Sequence, residues 1–128
     1  MCIICDGKDI SGITMLQLQC DHLTELPDEL SPELDCLICD DCPRLTRLPT
    51  CISYLTKLTW LKLYGCTSLI QIPDLPPSLT EFMCYRSHNL LLLPSLPPRL
   101  RRLCIGNLDK VREIPELPAS LNKFMWKN

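Results

Sequence analysis

The sequence predicts an α/β solenoid: a curved parallel sheet of about six short strands, with a convex side that is extended or briefly helical. Three observations carry that expectation. The 128 residues include 26 Leu, 12 Pro and 10 Cys but only 4 Gly, and 46% of them are hydrophobic. Proline at this density breaks helices and central strands unless it recurs at one tolerated place. Five Leu-Pro or Ile-Pro pairs end at Pro27, Pro49, Pro73, Pro94 and Pro115, at intervals of 22, 24, 21 and 21 residues.

Reading back from each pair gives one template, L-x-x-L-x-L-x-x-C-x-x-L-x-x-L-P. The first unit is one residue short, with Leu16, Leu18, Cys20, Leu23 and Leu26. The second runs Leu34, Leu37, Cys39, Cys42, Leu45, Leu48. The third runs Leu58, Leu61, Leu63, Cys66, Leu69, Ile72, and the fourth Leu79, Phe82, Cys84, Ser87, Leu90, Leu93. The fifth has Leu100, Leu103, Ile105, Leu108, Val111 and Ile114, and a truncated sixth has Leu121, Phe124 and Trp126. Residues 1–12 fall outside the register and read as an N-terminal cap, so residues 1–128 form a single domain with repeats over 13–128.

Each unit alternates with period two, as in Leu61-x-Leu63, and so sends two side chains to the core from a short strand. A unit of this size cannot bury its own apolar face, and only stacked neighbours can cover it. The approach to the third strand has Ile52, Leu55 and Leu58 at helical spacing and predicts a short helix begun by Pro49 or Thr50. The linkers Leu75-Pro76-Pro77, Leu96-Pro97-Pro98 and Leu117-Pro118 are expected to run extended, near polyproline II.

With these residues in place the template resembles the leucine-rich repeat family over residues 13–128. Cys20, Cys42 and Cys66 stand where that family usually has Asn, followed by Ser87 and Leu108. The Pro-rich linkers resemble repeats of bacterial effector proteins. The stretch Leu63-Tyr64-Gly65-Cys66-Thr67-Ser68-Leu69 looks more like repeats of plant immune receptors. The cysteine content is similar to that of repeats in proteins of large DNA viruses. The resemblance implies a protein-binding solenoid. It carries over no ubiquitin-ligase, nucleotide-binding or signalling domain.

The cysteines raise a metal question, because Cys2-x-x-Cys5, Cys36-x-x-Cys39 and Cys39-x-x-Cys42 have ligand-like spacing. The template assigns Cys20, Cys39, Cys42, Cys66 and Cys84 to the core, where a thiol serves as a small hydrophobe. Cys36 and Cys104 are expected on the exposed face, and Cys2 and Cys5 in the cap. Cys42 and Cys66 stack one strand spacing apart, within bridging range. The N-terminus has no basic and apolar leader, which points to an intracellular, reducing location, the cytoplasm or a host's cytoplasm. No metal or other cofactor is expected.

No catalytic constellation is visible. His22 and His88 both fall in turns, the glycines are scattered, and the expected activity is not enzymatic. The longest apolar run, Leu90 to Leu93, ends at Pro94, too short for a helical membrane span. A net charge of −2 argues against a nucleic-acid or membrane-surface partner.

The expected site is the outward face of the strands. Its columns are Met15, Cys36, Trp60, Glu81, Arg102, Lys123, then Gln17, Ile38, Lys62, Met83, Cys104, Met125, then Gln19, Asp40, Tyr64, Tyr85, Gly106, Lys127. Ile38, Asp40, Trp60, Lys62, Tyr64, Met83, Tyr85, Arg86 and Arg102 are the expected contacts for a protein partner. Aromatics and Met rimmed by charge suit such a surface. Residues 1–64 carry net −5 (10 acids, 5 bases) and residues 65–128 net +3 (5 acids, 8 bases), an axial gradient able to steer a partner. The last strand, with Phe124 and Trp126, has no cap after it. Its open edge offers an alternative reading, a structural homodimer paired through that strand.

Overall fold

A computed structural model describes residues 2–127. Six short parallel strands form one sheet in strict chain order: β1 (Met15–Leu18), β2 (Cys36–Asp40), β3 (Trp60–Tyr64), β4 (Glu81–Tyr85), β5 (Arg102–Gly106) and β6 (Lys123–Lys127). The architecture is a leucine-rich-repeat-like α/β solenoid, with almost no helix. Its register is the one the template implies: Leu16, Leu37, Leu61, Phe82, Leu103 and Phe124 pair across the sheet in one column. Leu18, Cys39, Leu63, Cys84, Ile105 and Trp126 form the second inward column.

Backbone bonding explains why the coils stay in register. At each strand entrance one carbonyl accepts two successive N–H groups from the next coil. Thr59 O accepts from Thr80 N and Glu81 N, both at 2.9 Å, and Thr80 O accepts from Arg101 N and Arg102 N at 2.8 and 3.1 Å. Thr14, Asp35 and Arg101 repeat the pattern. At the exits of β2 to β5, a residue with positive φ carries the ladder one step further. Asp41 N donates to Tyr64 O at 2.7 Å, Gly65 N to Tyr85 O at 3.0 Å, and Asn107 N to Lys127 O at 2.7 Å.

The chain then folds inward at the Cys position. Leu45, Leu69, Leu90 and Val111 each donate to the carbonyl three residues back, on Cys42, Cys66, Ser87 and Leu108. Cys42 and Cys66 are fully buried, and their thiols lie 3.8 and 3.6 Å from Leu18 O and Cys39 O on the preceding coil. A thiol thus fills the apolar slot while reaching a backbone acceptor, weakly. Burial pushes the Cys66 and Cys84 thiols up to about 12, so both remain neutral near pH 7 and pack as apolar groups. All ten cysteines are free, including the stacked Cys42 and Cys66.

On the convex side the short helix stands where expected, and the linkers depart from expectation. The segment after Pro49 is a single 3-10 helix (Thr50–Tyr54), begun by extended Pro49, and Thr50 makes no side-chain cap. Ile52 and Leu55 are buried below it, while Leu58 belongs to the turn that follows. The Pro-Pro linkers are not extended throughout. Leu79 N donates to Pro76 O, Leu100 N to Pro97 O and Leu121 N to Pro118 O, closing a four-residue turn at each. In the first two, the second proline (Pro77, Pro98) has the φ that the first central turn position requires and starts the turn instead of prolonging the extension, and Ala119 takes that position in the third.

One continuous apolar cluster fills the interior from Cys2 to Val111. Both ends thin out. Ile114, Leu117 and Phe124 are 37%, 42% and 38% exposed, although the template gives Ile114 and Phe124 to the core. No described coil stacks beyond β6 to cover them. Full burial of a large side chain contributes about 1.5–3 kcal/mol, so the central coils hold most of the stability. Phe82→Ala, at 0% exposure, is expected to cost about 3–5 kcal/mol in urea unfolding. Leu92→Ala, at 59% exposure, should cost under about 0.5 kcal/mol. Equal losses would contradict this placement of the core.

Candidate recognition face and its flanking groove

The outward residues form three columns across six strands, and the strand pairing sets which side chains are neighbours. Trp60 stands between Cys36 and Glu81, Lys62 between Ile38 and Met83, and Tyr64 between Asp40 and Tyr85. Trp60, Lys62, Tyr64, Met83 and Tyr85 are all half-buried, and Arg86 and Arg102 are exposed. These seven expected contact residues occupy β3, β4, β5 and the turn after β4. Asp40, at the end of β2, completes the group.

Three expectations fail on this face. Ile38 is only 6% exposed, so it supports the surface without offering contact area. Cys36 and Cys104 are 8% and 4% exposed rather than open to oxidation. Each lies in its column between larger side chains, Cys36 between Met15 and Trp60 and Cys104 between Met83 and Met125. On a concave sheet, long neighbours lean over short ones and shade them.

Tyr64 is the centre of a charged cluster. Arg86 donates to its hydroxyl at 3.1 Å and places its guanidinium 5.7 Å from the ring centre. Lys62 lies 5.9 Å from the same ring and 3.8 Å from Asp40 Oδ1. Two cations at one aromatic ring, one of them tied to a carboxylate, hold the ring in a defined pose. The hydrogen bond to Tyr64 raises the Arg86 guanidinium further above neutrality. Burial, with Cys104 beside it, raises the Tyr85 phenol, which stays neutral. Trp60 differs from expectation in one detail: its ring is half-buried and its Nε1 is buried with no hydrogen-bond partner. Such an orphan donor costs about 1–3 kcal/mol.

The turn after each strand adds a feature. The residue there has positive φ in four coils: Asp41 at 55°, Gly65 at 68°, Arg86 at 56° and Asn107 at 52°. Gly, Asn and Asp enter this region readily, but Arg does so at a cost of about 1–2 kcal/mol. A Cβ at Gly65 would sit 2.5 Å from Asp41 Oδ1, a contact the exposed Asp41 carboxylate relieves by rotating away. Arg86 is the one member of the set with no backbone reason to be there, and its contacts with Tyr64 offset the cost.

A groove of about 430 Å³ runs beside this turn row, and sequence reasoning missed it. Its walls are the two positions flanking the buried turn slot: Gln19, Asp41, Gly65 and Arg86 before it, and Asp21, Pro43, Thr67 and His88 after it. Asp21 and Asp41 make one end acidic, and Arg86 and His88 face the other. His88, expected as a plain solvated turn residue, pairs with Asp109 at 2.9 Å. The template itself holds the signal for this groove, since positions adjacent to a turn slot must line up once the coils stack.

Comparison with known proteins gives a partial relationship. Over 71 residues, 56% of this chain, the sequence is 37% identical to the disease resistance protein RPS4 of Arabidopsis thaliana. It matches to the same extent an Arabidopsis protein named inactive disease resistance protein RPS4. The matched part amounts to 6% of the length of each relative. No family model matches the chain, and no solved structure matches it.

The Arg86 geometry predicts an unusual ordering of variants. Arg86→Ala loses the Tyr64 contacts and keeps the backbone cost, whereas Arg86→Gly loses the contacts and relieves that cost. Urea unfolding should rank Arg86→Gly above Arg86→Ala by about 1 kcal/mol. Equal stabilities would remove the strained-backbone account.

Proposed function

We propose that the chain is a non-enzymatic protein-recognition module that acts in the cytoplasm and binds a protein partner on its concave face. The carrying observation is the placement of Trp60, Tyr64, Met83 and Tyr85 side by side on β3 and β4. They stand on a hydrogen-bonded parallel sheet, with Asp40, Lys62, Arg86 and Arg102 around them. Large, rigid aromatics lose little entropy on binding, and a charged rim supplies orientation and rate. The orphan Nε1 of Trp60 adds a donor that a partner acceptor would satisfy after a small side-chain shift.

Further support comes from the relatives, which are named for disease resistance. Those names favour recognition of a pathogen or host protein over catalysis. The net charge of −2 supports a protein partner over nucleic acid or an anionic membrane. None of the described helices is long and apolar enough to cross a membrane.

A second reading has its own observation: Phe124 and Met125 on β6 are 38% and 41% exposed, which favours pairing of two copies through that strand. One set of preparations separates the two. Wild type and Trp60→Ala/Tyr85→Ala, matched by circular dichroism, are used as bait in cell extract, with Leu92→Ala as a surface control. Partners retained by wild type and the control should fall at least tenfold with the double variant, and light scattering should give a salt-independent monomer. An unchanged partner set would end the concave-face reading. A dimer that weakens with Phe124→Glu would establish the second.

A further inference from the structure

The thiols of Cys2, Cys5 and Cys20 converge: their sulfurs all lie within 4.8 Å of one another, with Cys5 and Cys20 at 3.6 Å. From spacing alone, Cys20 belongs to the core and only Cys2 and Cys5 stand apart. The difference lies in the repeat geometry. In the second and third coils the turn-slot thiols, Cys42 and Cys66, point at a carbonyl of the preceding coil. Cys20 occupies the same slot in the first coil, with no preceding strand in the sheet. The N-terminal turn takes that place and presents two thiols instead of a carbonyl.

That turn has the construction of a ligand loop. Asp6 N donates to Cys2 O at 2.9 Å, Lys8 N to Ile3 O at 3.1 Å and Gly7 N to Ile4 O at 3.1 Å. Gly7, with φ of 68°, reverses the chain two residues after the second thiol. The turn brings the side chains of Cys2 and Cys5 to one side. His22 N donates to Cys20 Sγ at 3.4 Å, the kind of backbone bond that orients a sulfur and supports its charge. Cys2 and Cys20 are each 8% exposed, and Cys5 is open to solvent. The cluster is therefore a dry floor with one accessible side.

We propose that Cys2, Cys5 and Cys20 form a metal site for a thiophilic divalent cation, zinc above all. A zinc–sulfur distance of about 2.3 Å in a tetrahedron sets neighbouring sulfurs about 3.8 Å apart, and the Cys5–Cys20 separation already matches this. Binding is a ligand exchange with no redox step. Each thiol releases its proton to solvent, each sulfur donates an electron pair to the ion, and water keeps the fourth position on the exposed side. The bound ion ties the N-terminal turn to the first coil and covers the end of the core.

Cobalt titration of the reduced, untagged chain tests this directly. One equivalent should bind with a thiolate-to-cobalt charge-transfer band and tetrahedral visible bands, and one equivalent of zinc should bleach both. Cys5→Ser, at an exposed position, should weaken cobalt binding at least tenfold, whereas Cys51→Ser, on the convex 3-10 helix, should leave it unchanged. Zinc should also slow alkylation of Cys5 in the wild type. A reduced protein that takes up no cobalt, or a band unaltered by Cys5→Ser, overturns the proposal.

Discussion

A single coil of this chain cannot bury its own apolar face, and every other feature follows from that constraint. Each strand contributes two inward side chains, and a third set comes from the turn that follows. These become a core only when the next coil lies about one strand spacing away. The bifurcated carbonyl at the strand entrances and the positive-φ residues after β2 to β5 hold neighbouring coils to one register. Register then decides burial, because a slip of one residue would turn Leu61 and Leu63 outward and Lys62 inward. The same rule explains the cysteines. The turn slot needs a small group that tolerates complete burial and can face a carbonyl, and a thiol meets both demands.

The recognition face is a product of this stacking and has no separate construction. Residues 21 to 24 positions apart become neighbours, so Asp40, Tyr64 and Tyr85 meet without any local sequence relation. Side-chain pairs follow the same geometry: the ion pairs of Arg47 with Glu25 and Lys62 with Asp40, and the hydrogen bond between His88 and Asp109, each join adjacent coils. Exposed pairs of this kind contribute little to stability. They matter for the surface, because they orient charged groups around the aromatic centre. Arg86 shows the priority most clearly, since it accepts an unfavourable backbone region to reach Tyr64.

Period and spacing made the fold legible, because the physics of a stacked repeat is written at each coil. The pairing of Cys36 with Trp60, Glu81 and Arg102 follows from aligning the Leu-Pro pairs alone, while Met15 and Lys123 join the column only when the strand positions themselves are aligned. Depth could not be read this way. Ile38, Cys36 and Cys104 sit at outward positions but are shaded by larger neighbours on a concave sheet, which depends on curvature and on the residues one coil away. The Pro-Pro pairs are ambiguous for a local reason, since the φ of Pro77 and Pro98 suits a turn as well as an extended chain. The template's rule for Cys20 assumes a preceding coil. At the first coil that assumption fails, and its thiol meets Cys2 and Cys5.

Residue-resolved backbone hydrogen exchange tests most directly the claim that neighbouring coils supply each other's core. The amides of Leu61, Leu63, Phe82 and Cys84, in the central strands, should exchange slowest, through unfolding of the whole chain. Protection should decline stepwise toward β1 and β6, and the linker amides that bond no neighbouring coil should exchange freely. Exchange in β3 and β4 as fast as in the linkers, or slowest exchange in β6, would contradict the account.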